Sequence, residues 1–198
     1  MLNRIFKRSF DIIFSLFIII FIISWLSPIL ALLIKLGSKG PVFFVQYRTG
    51  INDTHFKCYK FRSMRVNTDA DNKQATRDDH RITRTGAFLR KTSLDELPQF
   101  FNVLMGNMSI VGPRPHMINH TLEYSRLTEK FKARHSLKPG ITGWAQISGL
   151  RGEINNTEAM LKRVDADIWY LKNWSFLLDV KIILLTFWIT LRGDKNAF

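Results

Sequence analysis

The chain has 198 residues, with 29 Lys and Arg against 16 Asp and Glu, a formal charge of +13, and 46% hydrophobic and 13% aromatic side chains. One domain suits this length, and the apolar content excludes a disordered polycation. The single Cys58 excludes an intrachain disulfide, no Cys/His spacing points to zinc, and a reducing compartment fits.

Ten basic side chains lie within residues 1–65, against only Asp11 and Asp53. They flank the most apolar part of the chain, a pattern that fits an anionic membrane surface better than a nucleic-acid groove, so no nucleic-acid partner is expected. Residues 12–34 are 23 in a row without a charge, about 35 Å as a helix and enough for a bilayer core of roughly 30 Å. A signal peptide has a shorter core and a small-residue cleavage site that is not evident here. Arg4, Lys7 and Arg8 precede the run while Lys35 and Lys39 follow it, so the positive-inside bias pulls both ends to the cytoplasmic side. Ser27-Pro28 predicts a kink, and the run before it would cover only about 24 Å. The expectation is a re-entrant helix that dips into one leaflet and returns. An ordinary kinked crossing is the alternative.

Residues 41–46 and 56–61 read as short strands joined by a turn at Gly50–Asp53. Strand alternation puts Phe56, Cys58, Lys60 and Arg62 on one face. Lys60 and Arg62 are thus a candidate clamp for phosphate oxygens, with a solvated basic face as the alternative. Residues 67–81 form a polar loop whose Asp69, Asp71, Asp78, Asp79 and His80 can either attract a divalent metal or stay solvated.

In residues 81–115, Asp95 and Glu96 are consecutive carboxylates, with Arg90 and Lys91 upstream and Arg114 downstream. Carboxylates among cations suit a metal-bound diphosphate: cations neutralise oxygens, and a carboxylate serves as nucleophile or metal ligand. Ser93 and Glu96 also fit a capping box, in which Glu96 merely closes a helix start. Pro98 argues against that cap and for a helix beginning at or near it, with Leu97 pushed out of helical geometry. Asp95 and Glu96 are therefore expected on irregular chain just before a helix N-terminus that favours anions.

The turns at residues 111–115 and 138–144 are rich in Pro and Gly. The first fixes Arg114 between two prolines, lowering the entropy cost of holding an anion. Near the C-terminus, Trp169, Tyr170, Trp174, Phe176, Phe187 and Trp188 alternate with charged residues, and the uncharged stretch 182–191 is too short to span. An interfacial helix and an amphipathic helix packed on a soluble core both fit.

Nearly the whole chain resembles the bacterial sugar transferases known as monotopic phosphoglycosyl transferases, or polyprenyl-phosphate hexose-1-phosphate transferases. The matching elements are Lys7-Arg8 with Asp11, Ser27-Pro28, Gly40-Pro41-Val42-Phe43-Phe44, Lys60-Phe61-Arg62-Ser63-Met64, Thr92-Ser93-Leu94-Asp95-Glu96-Leu97-Pro98-Gln99, Met108 to Pro115, and Lys138 to Gln146. The resemblance implies a cytoplasm-facing enzyme on the bacterial inner membrane, using a UDP-sugar, undecaprenyl phosphate and magnesium. It implies that Asp95 attacks the β-phosphorus, releasing UMP, and that the lipid phosphate then displaces the carboxylate. Glu96 would support metal binding or orient Asp95, with both carboxylates as candidate magnesium ligands, while Lys60, Arg62, Arg90 and Arg114 would hold phosphates.

The segment from Gly149 to Trp174 looks most like enzymes that transfer glucose-1-phosphate, or galactose-1-phosphate, at the start of exopolysaccharide or capsule assembly. Ile154 stands where Thr is usual after Arg-Gly-Glu. The expected architecture is α+β, with residues 1–40 as the re-entrant helix and its flanks. Residues 41–198 are expected to form a cytoplasmic catalytic domain with a small hairpin and several helices, interfacial at the C-terminus. The chain resembles the minimal catalytic form, or the catalytic part of a longer one. A non-catalytic membrane scaffold of the same fold is the competing reading, against which the Asp95-Glu96 pair stands.

Overall fold

The computed structural model describes residues 2–69, 73–76, 79–152, 154 and 156–193. Asp71, Asp78 and Glu153, singled out above, lie outside the described residues.

The N-terminal apolar run forms α1 (Leu2–Ile18), a π-helical turn (Ile19–Ile23) and α2 (Ser24–Gly37). By length and composition the stretch Asn3–Gly37 is long and apolar enough to cross a membrane. The irregularity lies upstream of the expected kink: α2 continues through Pro28, and the backbone widens at Ile19–Ile23 instead. Two carbonyls at this widened turn are taken by side chains one turn on. Ser24 Oγ donates to the Ile20 carbonyl at 2.5 Å and Trp25 Nε1 to that of Phe21 at 2.7 Å, so the turn keeps its polar groups satisfied. Both limbs pack on the same body. Arg8 donates to the Val103 and Leu104 carbonyls, and Asp11 accepts from the Ile110 amide, while Leu30 and Ile34 share a core with Phe61 and Leu89.

β1 (Phe43–Thr49) and β2 (His55–Phe61) form the antiparallel hairpin, slightly longer than expected, with Gln46 opposite Cys58 and Phe44 opposite Lys60. Phe56 and Cys58 are buried, as the alternation predicts. The chain continues through α3 (Arg84–Lys91), a 3-10 turn (Leu94–Glu96), α4 (Gln99–Met105) and β3 (Ser109–Val111). It goes on to α5 (Ile118–Leu127), α6 (Lys130–Ala133), β4 (Gly140–Thr142), α7 (Trp144–Ile147), α8 (Thr157–Asn173) and α9 (Phe176–Arg192).

The two Pro/Gly-rich turns flank a parallel pair, β3 with β4, Ser109 opposite Gly140 and Val111 opposite Thr142. The backbones come so close there that a Cβ on Gly140 would lie 2.1 Å from the Gly112 nitrogen. Phe56, Cys58, Val103, Met108, Ile110, Val111, Tyr170 and Ile182 pack as one core. A third core of Tyr124, Phe131, Met160 and Val164 joins α5, α6 and α8.

α9 packs on the body, as one of the two readings expects, and leaves an apolar side uncovered. Asp179 and Ile182 are buried and Thr186 pairs with Thr142, while Leu177, Leu184, Phe187, Trp188 and Leu191 are exposed.

Candidate active site

Lys60 comes from β2, Glu96 from the 3-10 turn and Arg114 from the loop after β3, and the three converge. Glu96 Oε1 accepts from Lys60 Nζ at 2.8 Å and from Arg114 Nη2 at 2.7 Å, and Oε2 accepts from Arg114 Nη1 at 3.3 Å. Burial disfavours the Glu96 carboxylate, but Arg114, Lys60 and Arg151 outweigh it and hold its carboxyl well below the usual range. Glu96 in turn raises the affinity of the Arg114 guanidinium for its proton.

Asp95 is buried to the same 6% exposure but accepts no hydrogen bond from any described residue. Burial pushes its carboxyl above the ordinary range. Lys60 opposes the rise, Glu96 adds to it, and Arg90 and Arg114 again oppose it. Among the described residues, a carboxylate that accepts no hydrogen bond therefore sits among cations, beside one that accepts three.

The local chain explains the placement. Ser93 adopts a left-handed conformation, φ 57°, and makes no cap to the following turn. The capping box does not form: Ser93 Oγ accepts from Arg151 Nη2 at 2.9 Å and Glu96 turns to Lys60 and Arg114. Asp95 and Glu96 stand in a 3-10 turn rather than irregular chain, and Leu97 is helical, φ −53° and ψ −38°, correcting the expectation that Pro98 expels it. Pro98 itself precedes α4 in helical geometry, and the 3-10 turn runs into that helix through it.

Asp95 and Glu96 line a cavity of about 320 Å³ with Lys60, Arg62, Arg90, Arg114 and Arg151. Five of the six expected site residues share this electrostatic cluster. Arg62 lines the cavity, but its guanidinium donates to the Ser38 and Lys39 carbonyls at 2.7 Å each, locking the end of α2 to β2. Gly40, φ +128°, makes room for it: a Cβ there would lie 1.9 Å from Arg62 Nη1. Lys60 and Arg114, not Lys60 and Arg62, converge, and they do so on Glu96.

A second tier holds Arg114. Arg134, 1% exposed, donates to the Arg114 carbonyl at 2.8 Å and ion-pairs with Asp167 at 2.7 Å. Arg134 Nη1 also meets His116 Nδ1 at 2.8 Å, and burial, with Arg134 beside it, keeps that imidazole neutral and able to accept. Sequence reasoning missed Arg134, which has no local signal and acts through long-range packing. It met Arg151 only inside the family pattern.

Magnesium, implied by the resemblance, fits the donors. It is bound by one or two carboxylates plus substrate phosphates, and Asp95 is a buried carboxylate with unused acceptor capacity. In the polar loop Asp79 is forked onto Arg81, and neither there nor at Asp95–Glu96 does a cluster of three His, Cys, Asp or Glu form among the described residues.

The sequence profile of the bacterial sugar transferases matches residues 2–193. A UDP-glucose:undecaprenyl-phosphate glucose-1-phosphate transferase of Escherichia coli (strain K12) is 52% identical over 188 residues, covering 93% of this chain and 40% of that protein. The protein of the same name from Xanthomonas campestris pv. campestris is 52% identical over 167 residues, covering 83% and 34%. An exopolysaccharide production protein PSS of Rhizobium leguminosarum bv. phaseoli is 44% identical over 190 residues, covering 93% and 94%. The chain thus spans less than half the length of the first two relatives and nearly all of the third. With its profile matched almost end to end, the chain belongs to the bacterial sugar transferase family.

Proposed function

We propose that the chain transfers a hexose-1-phosphate, glucose first and galactose next, from a UDP-sugar to undecaprenyl phosphate, initiating an exopolysaccharide or related surface glycan. The carrying observation is the division of labour between two adjacent carboxylates: Glu96 is pinned by two cations, and Asp95, beside them, accepts no hydrogen bond from any described residue. The relatives' names, glucose-1-phosphate transferases onto undecaprenyl phosphate, support the substrate pair.

In this reading an Asp95 oxygen attacks the β-phosphorus of the UDP-sugar. A carboxyl–phosphorus bond forms, the bond from that phosphorus to the bridging oxygen breaks, and the electron pair leaves on UMP. An oxygen of undecaprenyl phosphate then attacks the same phosphorus and the Asp95 carboxylate departs, giving the lipid diphosphate sugar. Lys60, Arg90 and Arg114 neutralise phosphoryl oxygens, the main demand of phosphoryl transfer. Glu96 fixes the spacing of Lys60 and Arg114. Magnesium held by Asp95, with Glu96 beside it, would add charge neutralisation on the diphosphate.

The exposed apolar helix and its basic flanks support a place on the inner membrane, with the soluble body in the cytoplasm where the nucleotide sugar is found. The test is to incubate the protein with radiolabelled UDP-glucose without acceptor and examine Asp95 by peptide mass spectrometry. A phosphosugar on Asp95 and one equivalent of UMP are expected, with both lost in Asp95→Asn. Full turnover in Asp95→Asn would refute the nucleophile.

A further inference from the structure

A second, smaller cleft of about 80 Å³ lies behind the catalytic turn. Ser93, Glu96 and Arg151 line one part of it, while Ile147, Ile189 and Thr190 supply another. Glu96 and Arg151 are the two residues that line both this cleft and the larger cavity. Resting on the transferase reading, we propose that this cleft seats the first isoprene units of the lipid acceptor and that Arg151, between the two spaces, receives its phosphate.

The chemistry of the acceptor dictates such a passage. A long prenyl chain stays in lipid because each buried methylene contributes about 0.8 kcal/mol, so only the phosphate and the first few carbons can leave the bilayer for Asp95. The opening they use must be apolar toward the membrane and cationic toward the carboxylate. The cleft has that order. Ile189 and Thr190 belong to α9, whose neighbouring Phe187, Trp188 and Leu191 are exposed, so one helix presents an apolar face outward and walls the cleft inward. At the other end the Arg151 guanidinium is oriented by its bond to Ser93 Oγ at 2.9 Å, and its planar fork suits a phosphate. The larger cavity, lined by Lys60, Arg90 and Arg114, is left for the more highly charged, water-soluble donor. In two in-line displacements the acceptor must reach the face of phosphorus that UMP vacates, and Arg151, lining both spaces, is placed to pass the lipid phosphate from the cleft into the larger cavity.

The test uses the full chain in lipid nanodiscs and a polyprenyl phosphate carrying a benzophenone on its first isoprene unit. Photo-adducts in the wild-type protein are expected on α7 and on residues 186–190 of α9. Adducts confined to α1, α2 or the hairpin, or none at all, would overturn the berth. Ile189→Trp, which fills the cleft, is expected to raise the apparent KM for undecaprenyl phosphate about tenfold while the KM for UDP-glucose moves less than about twofold. Equal shifts in both, or no shift, would count against it. Absence of UMP release by the wild-type protein would instead sink the transferase reading, and the photo-adduct map would still decide where the lipid sits.

Discussion

Asp95 and Glu96 are both 6% exposed, but Lys60 and Arg114 bond only to Glu96. The pair should therefore respond to neutralisation in opposite directions. Glu96→Gln leaves two largely buried cations without their anion, and unsatisfied buried groups cost about 1–3 kcal/mol, more when charged. A melting temperature several degrees below wild type is expected. Asp95→Asn removes a carboxylate whose charge burial already disfavours, so its melting temperature should equal or exceed wild type although activity is gone. Thermal melts of both variants beside the wild type read the two signs directly. A clear loss of stability in Asp95→Asn would mean that the carboxylate is held in place by the fold, as Glu96 is, rather than left open for a substrate.

At the scale of elements, the position of Arg114 is set by the β3–β4 pair. The Gly112 amide donates to the Thr142 carbonyl at 2.9 Å and that of Gly140 to Pro113 at 2.9 Å, so the loop carrying Arg114 is stitched to β4 just before it reaches the site. Gly140→Ala places a methyl carbon against backbone atoms of Gly112 and Thr142, which have no rotamer to yield. Overpacking of this kind costs about 1–3 kcal/mol. Urea unfolding should report that loss, and UMP release should fall because Arg114 moves with the loop. The hairpin was legible in the sequence because strand alternation is local, and so was the acidic pair, flanked by cations and Pro98. The parallel pair was not: residues 111–115 and 138–144 read as separate turns, and nothing within either one reveals that they lie side by side. Arg62 is legible only in part for a related reason. Alternation gave its face correctly, but its partners are backbone carbonyls of Ser38 and Lys39, which carry no residue signature.

The molecule as a whole places a long apolar helix so that its two limbs return to one body. α1 is held by Phe10 and Phe14, packed against the main core, and by Arg8 and Asp11 bonding to α4 and β3. α2 is held by Leu30 and Ile34 against Phe61 and Leu89. Between these anchors Phe17, Ile20, Phe21 and Trp25 are exposed. A full crossing with residue 38 on the far side would carry Leu30 and Ile34 into lipid but uncover Phe61 and Leu89 on the body, at up to about 1.5–3 kcal/mol each, and would break both Arg62 bonds to the end of α2. The re-entrant arrangement keeps all of these contacts and immerses the exposed middle. Cys58 is 2% exposed, so the native protein should react little with a membrane-impermeant maleimide. Asn3→Cys and Ser38→Cys introduced singly should then label from the same side in sealed inverted vesicles. Labelling from opposite sides would establish a crossing and require the packing of α2 on Phe61 and Leu89 to be broken in the membrane.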